Sequence, residues 1–418
     1  MESAAVVASQ AAAHEAVADR PRAELVIALG RAYHQSGVAS DQLEELMHRA
    51  ADALDLELQV SALPTSITVA CGPPEAQQVV LLRLAPGEID LRRLALLNEV
   101  LDRIGRGSLS MADALVEVRR IAAIDGRMPA AVIVAAYCAL STGVAIVLGG
   151  GLHEALASAA IGVAVGVVSL LRARVAAVER LFEVLAGCIA TVIASLYARN
   201  VAPLSVYVPL VAGVVQVLPG WQLTTALQEL ASHNLVAGTS RLGSVFMTLL
   251  SLGCGFALGI ALVGPGALHS GTIHYAPVPA AALLAAVAAV AFGIGVLERS
   301  RKADFGWVFG SCALAELAYR AFAATPAFQV ATFAAAFAVA VFANVGARYL
   351  RVPRAVLLIP GVIMIVPGSL SYESILYIIQ SNAADAGPIA LNAVVASVEI
   401  VSGVLLAQLI VAPRRITP

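Results

Sequence analysis

Two Pro-Gly pairs interrupt long apolar stretches of this chain, Pro219-Gly220 in VPLVAGVVQVLPG (208–220) and Pro367-Gly368 in VLLIPGVIMIVPG (356–368). Proline removes a backbone donor and clashes with the carbonyl four residues earlier, and glycine tolerates the backbone angles of an unwound turn. Each pair is therefore expected to break a helix. Such a break exposes the N–H groups of the second half-helix, whose positive dipole end suits a carboxylate. It also exposes the carbonyls of the first half, which suit an ammonium group or a cation. Gln222, Thr224 and Thr225 follow the first break, and Ser369, Ser371 and Tyr372 follow the second. These neutral hydrogen-bonding groups, with Pro219, Gly220, Pro367 and Gly368, are the expected binding set for a small polar molecule. A lone Pro-Gly reads more simply as a kink; its recurrence at matching positions favours a site.

Ionisable residues inside apolar spans are costly and usually functional. Glu399 lies in AVVASVEIVSGVL and Glu316 in CALAELAYRAF. Buried carboxylates can take up and release protons, so both are candidate proton-coupling residues. Arg320, four positions beyond Glu316, offers that residue an intrahelical ion pair instead. Glu229, Glu373 and Asp385 fall near expected span ends and are expected to be solvated. Glycines at GxxxG spacing, Gly162/Gly166, Gly255/Gly259 and Gly306/Gly310, permit close helix packing. The five Cys form no CxxC pair, and His14, His34, His48 and Cys71 match no metal-ligand spacing. No HExxH, GxSxG, Walker or GxGxxG signature occurs. No catalytic residue, metal or cofactor is expected, and the chain does not read as an enzyme.

The elements that must carry these groups follow from composition. Of 418 residues, 60% are apolar and 13% charged, against roughly 45–50% and 25% in a soluble domain. The charges concentrate in residues 1–128, which hold 12 Arg and 18 Asp or Glu. A charged head thus precedes a membrane body, and an acidic head excludes a nucleic-acid partner. MESAAVVASQAAAHEAVADRPR lacks the basic region and apolar core of a signal peptide, so the head is expected to be cytosolic. Its pattern reads α-α-β-β-β-α-α. Ser40 is expected to cap the second helix, with Glu44 in the first turn, and Ser110 with Asp113 to cap the last.

Ten spans of about 20 mainly apolar residues are expected, centred on 129–148, 155–171, 181–198, 203–220, 242–263, 277–297, 305–322, 327–347, 353–371 and 388–412. With a cytosolic head, twelve Lys and Arg fall inside and two, Arg199 and Arg320, outside, which supports both count and orientation. Segments 149–153, 264–276 and 373–387 then face outward. A displacement of 148 residues without a gap superposes the two Pro-Gly stretches, pairs Gly213 with Gly361, Gly162 with Gly310 and Asn234 with Asn382, and carries each of the first five spans onto one of the last five. An odd number of spans per copy inverts one copy relative to the other, as in alternating-access transporters. The expected fold is a membrane all-α protein with two inverted repeats of five transmembrane helices, preceded by a small α+β cytosolic domain. Its parts are 1–128, 129–276 and 277–418.

The chain resembles the threonine/serine exporter family over roughly residues 24–412, through SGVASDQLEELMHRAADALDL, PTSITVA and DLRRLALLNEVLDRIGRGSLSMADAL in the head. In the body the resemblance lies in LPGWQLTTALQELASHNLVAGTSRL and RVPRAVLLIPGVIMIVPGSLSYESI. It implies a cytosolic head, ten spans, and proton-driven export of small polar amino acids such as threonine and serine across a bacterial cytoplasmic (inner) membrane, with both termini cytosolic. It places Pro219, Gly220, Thr224, Gly238, Thr239, Arg241, Pro367, Gly368 and Ser369 in family motifs. Asn234 stands where some relatives carry an acidic residue, so no coupling role transfers to it. Distant relatives resemble exporters of small dicarboxylates such as succinate, which is the alternative substrate. Implied partners are the amino acid, protons and the lipid bilayer; a homo-oligomer is left open.

Overall fold

The structure is a computed structural model. It describes residues 20–411 apart from 73–76, 173, 265–277, 351, 367 and 369–382. Pro367, Ser369, Ser371, Tyr372, Glu373, Asn382 and most of the expected outer segments 264–276 and 373–387 therefore lie outside the described residues.

Two compact units emerge. Among the described residues one comprises those up to Gly126 together with Glu229–Ser240, and the other Arg127–Gln228 and those from Arg241 to residue 411. In the first, α1 (20–35) and α2 (Ser40–Ala53) precede β1 (Leu58–Leu63), β2 (Ser66–Cys71) and β3 (Gln78–Arg83), followed by α3 (Leu91–Gly105) and α4 (Met111–Ala122). The strands form an antiparallel meander in which Val60 pairs with Val69 and Val69 with Val80. Period-two alternation sends Ile67, Val69 and Cys71 into the core with Leu25, Leu29, Leu43, Met47, Leu97 and Leu101. The other face leaves Val79 and Leu81 open. Tyr33 is buried and donates to Asn98 Oδ1 at 2.9 Å, and burial pushes its phenol up from the ordinary tyrosine value.

Cap residues set the helix starts. Asp90 accepts the Arg93 N–H at 2.9 Å to open α3. Ser110 accepts the Asp113 N–H at 3.2 Å to open α4, as the sequence indicates. Ser40 departs from expectation: Ala39 occupies the N-cap, Ser40 is the first helical residue, and no side chain at the cap accepts a bond. Glu44 instead accepts the Ala62 N–H at 2.7 Å, tying α2 to β1.

In the second unit α5 (Ala130–Val147), α6 (Leu152–Arg172), α7 (Ala176–Arg180), α8 (Phe182–Asn200), α9 (Tyr207–Gly213), α10 (Gly220–Ala231) and α11 (Leu235–Val263) form the first half, although the end of α10 and the start of α11 fall in the first unit. The second half runs α12 (Ala280–Leu297), α13 (Phe305–Ala323), α14 (Ala331–Val345) with a π-helical extension Gly346–Leu350, α15 (Arg354–Ile365) and α16 (Ala383–Ile410). Among the described residues seven helices are long and apolar enough to cross a membrane: α5, α6, α8, α11, α12, α14 with its extension, and α16. Ten were expected. The fourth and ninth spans are shortened by their breaks to α9, α10 and α15, and α13, which carries Glu316 and Arg320, is less apolar.

Packing relates the halves through reciprocal contacts. A methyl group built on Gly143 would lie 2.8 Å from Val290, and one on Gly293 would lie 2.6 Å from Leu140, the same 150-residue displacement for both partners. Gly213 meets Ile161 and Gly361 meets Ser311; the glycines are 148 apart and their partners 150. The glycine contacts between α5 and α12 thus recur at 150 residues, against 148 for Gly213 and Gly361. Gly162 and Gly166 pack on Tyr137 of α5, whereas Gly306 and Gly310 have nothing within 4 Å. Gly255 and Gly259 pack on α8 through Cys188, as their spacing suggests.

Candidate functional site

Helix α9 is buried from Val208 to Gly213 and stops there. Residues 214–218 form a turn in which the Val217 and Leu218 N–H groups return to the Val214 carbonyl at 2.7 and 3.2 Å. Pro219 cannot extend this ladder, and α10 starts at Gly220, with the Leu223 N–H on the Pro219 carbonyl at 2.9 Å. Helix α15 contains Pro360, ends at Ile365 and passes into extended backbone at Val366. The Gly368 N–H then turns back to the Val366 carbonyl at 2.9 Å. The helical ladder is thus interrupted before Gly220, and α15 ends just before the second Pro-Gly pair.

The two breaks touch. A methyl group built on Gly220 would stand 2.9 Å from the Gly368 nitrogen, and would also strike Val366. One built on Gly368 would stand 3.2 Å from Leu218 Cβ and 3.3 Å from Gly220 Cα. Gly220 meets Val366 as Gly368 meets Leu218, an exchange that preserves the displacement of 148 for both partners. Only glycine permits backbones this close.

Around the first break the side chains differ in what they can offer. Thr224, one turn beyond Gly220, is 4% exposed, and its hydroxyl finds no hydrogen-bond partner among the described residues. Thr225 is equally buried but donates to the Trp221 carbonyl of its own helix at 2.9 Å. Gln222 is exposed. Neighbouring helices support the half-helices: Ser141 donates to the Gly213 carbonyl at 3.4 Å, Ser311 to the Leu357 carbonyl, and Cys312 to the Pro360 carbonyl at 3.6 Å.

Of the two candidate coupling carboxylates, Glu316 is 6% exposed and paired with Arg320, which also donates to the Val147 carbonyl at 3.2 Å. Glu399 is half-buried on α16 and hydrogen-bonds the Thr332 side chain and the Phe333 backbone, both in the first turn of α14. That turn carries N–H groups without intrahelical partners.

Sequence reasoning missed one contact to the break and misjudged one carboxylate. Gln216, in the turn before Pro219, donates to Glu298 Oε1 at 3.4 Å; neither residue was among the candidates from the sequence. Glu229, expected to be solvated, is fully buried. Among the described residues no cluster of three metal-ligating side chains occurs.

The sequence matches a threonine/serine exporter family model over residues 24–263, and a second model of threonine/serine exporters over residues 281–410. It is similar to pheromone-regulated membrane protein 10 of Eremothecium gossypii, 27% identical over 253 residues that cover 58% of this chain and 33% of that protein. The protein of the same name in Kluyveromyces lactis is 26% identical over 251 residues, 58% of this chain and 26% of its own length. An uncharacterized protein of Schizosaccharomyces pombe is 26% identical over 251 residues, with 58% and 30% covered. The chain spans about a third or less of the length of these relatives. No solved structure matches.

Proposed function

Because this chain belongs to the threonine/serine exporter family, we propose that it is a secondary exporter moving threonine, serine or a similar small polar amino acid outward in exchange for protons. It is a multi-pass membrane protein by its apolar helices and its membrane-protein relatives. The observation that carries the proposal is the reciprocal approach of Gly220 and Gly368. Two helix breaks at matching positions, meeting across a near two-fold relation, form the kind of centre at which inverted-repeat transporters hold substrate. In this reading the N-terminal end of α10 receives the substrate carboxylate, and the Thr224 hydroxyl, which has no partner among the described residues, gives it a hydrogen bond. Thr225, Gln222 and the residues after Gly368 complete the set.

The positive-inside count supports two inverted five-helix repeats in a bacterial cytoplasmic membrane with both termini and the α+β unit cytosolic. Glu399 is the proposed proton carrier, since Glu316 is already paired with Arg320. Purified protein in proteoliposomes, loaded with unlabelled substrate, should accumulate labelled threonine or serine by counterflow. Counterflow of succinate alone would replace the amino acid with a dicarboxylate, and none with any of the three would reject transport of these substrates.

A further inference from the structure

Helix α2 begins without a cap of its own. Ala39 occupies the N-cap position and has no side chain that could accept a bond, although the first N–H groups of any α-helix lack partners within the helix. The acceptor comes from 189 positions along the chain: the Ser40 N–H donates to Glu229 Oε1 at 2.9 Å. Glu229 is 0% exposed and Ser40 3%. Beside them Ser232 Oγ donates to Asp41 Oδ2 at 3.3 Å. The loop is held in shape by the Asn234 N–H on the Glu229 carbonyl at 2.8 Å, with His233 in the left-handed region at φ 62°. A carboxylate at a helix N-terminus is favoured by the aligned peptide dipoles, and one this deeply buried persists only where donors meet it.

Glu229 sits in the last turn of α10, whose first residue is Gly220. The helix has no proline or glycine after Gly220, so its twelve residues form a stiff rod about 18 Å long. Its last turn groups with the N-terminal unit, together with the loop that follows. We propose that Glu229 is a positioning residue for transport: it fixes one end of α10 to α2, so that the break at the other end cannot shift unless α2 follows or the Ser40 bond opens. The N-terminal unit is thereby a working part of the transporter. This inference rests on the transport reading of the Gly220 break.

A purely structural role would make Glu229 nothing more than a cap for α2, and Ala39 separates the two. Aspartate at 39 supplies α2 with a local cap without restoring any tie to α10. The experiment uses the full chain in proteoliposomes as wild type, Glu229→Ala, Glu229→Gln, and Glu229→Ala combined with Ala39→Asp. Hydrogen exchange of the first-turn amides of α2 reads the contact independently of transport. Since a hydrogen bond to a charged group corresponds to about a tenfold equilibrium effect or more, Glu229→Ala should speed exchange there and lower the maximal rate of threonine counterflow about tenfold. KM should stay within about twofold, because Glu229 touches no substrate. Glu229→Gln keeps an acceptor oxygen and should retain most of the rate. Ala39→Asp should restore protection in the Glu229→Ala protein and leave its transport slow. If Glu229→Ala does not accumulate in the membrane, the double variant decides alone. Recovery of the rate by Ala39→Asp, or a full rate in Glu229→Ala despite lost protection, overturns the inference. No counterflow in the wild type overturns the transport reading and this inference with it, while exchange still reports whether Glu229 caps α2.

Discussion

Gly220 and Gly368 stand so close that a methyl group on the first would lie 3.0 Å from the Cα of the second, and each is also packed on the residue two before the other. Side chains of any size would push the breaks apart. The approach also explains why both Pro-Gly pairs carry glycine on the far side: proline interrupts the ladder, and glycine lets the interrupted backbones meet.

Leucine at either position should therefore abolish transport. Gly220→Leu and Gly368→Leu are expected to insert and purify, with counterflow reduced at least about tenfold, since overpacking of a closed contact costs roughly 1–3 kcal/mol. Normal counterflow in either variant would show that the contact lies away from the transport path.

Thr224 gives a prediction in which stability and function move in opposite directions. Its hydroxyl is buried without a partner among the described residues, a state that costs about 1 kcal/mol or more. Thr224→Val removes the hydroxyl and keeps the shape, so thermal unfolding in detergent should rise or hold, while the KM for threonine increases about tenfold. A lower melting temperature with unchanged KM would assign Thr224 to packing.

Much of this arrangement is legible in the sequence, and what is not has a common cause. The seven elements of the N-terminal unit follow from period and caps, Ser110 with Asp113 among them, because those signals are local. The breaks are legible for the same reason. The spacing of the glycine contacts between α5 and α12 is not, since nearly uniform Ala, Val and Leu runs carry no signal for which glycine meets which neighbour; the partners of Gly143 and Gly293 appear only in the packing. The burial of Glu229 is hidden too. Its partner Ser40 is 189 positions away, and no pattern within α10 distinguishes a buried carboxylate at its end from a solvated one.

Orientation can be read with single cysteines in a cysteine-free background. A membrane-impermeant thiol reagent should label a cysteine at His269 in intact cells and leave one at Lys302 untouched, as the excess of Lys and Arg on the side of Lys302 requires. The reverse pattern would invert the topology while leaving the fold intact.

Coupling provides the last prediction. An exporter driven by a proton gradient needs a group that binds a proton on one side and releases it on the other. Glu316 is poorly placed for this, because Arg320 pairs with it within the same helix, and removing Arg320 would leave the buried Glu316 carboxylate without its ion-pair partner. Arg320→Ala should thus lower expression and melting temperature together, and more than Glu316→Gln does, since Arg320 is 42% exposed. Glu399 is held by neutral groups, the Thr332 side chain and the Phe333 backbone at the start of α14, so a proton can come and go without stranding a cation. Glu399→Gln should retain counterflow, which requires no net proton movement, and lose accumulation driven by an imposed pH gradient. Full uphill transport by Glu399→Gln would eliminate it as the carrier and move attention to Glu298, whose carboxylate reaches Gln216 beside the first break.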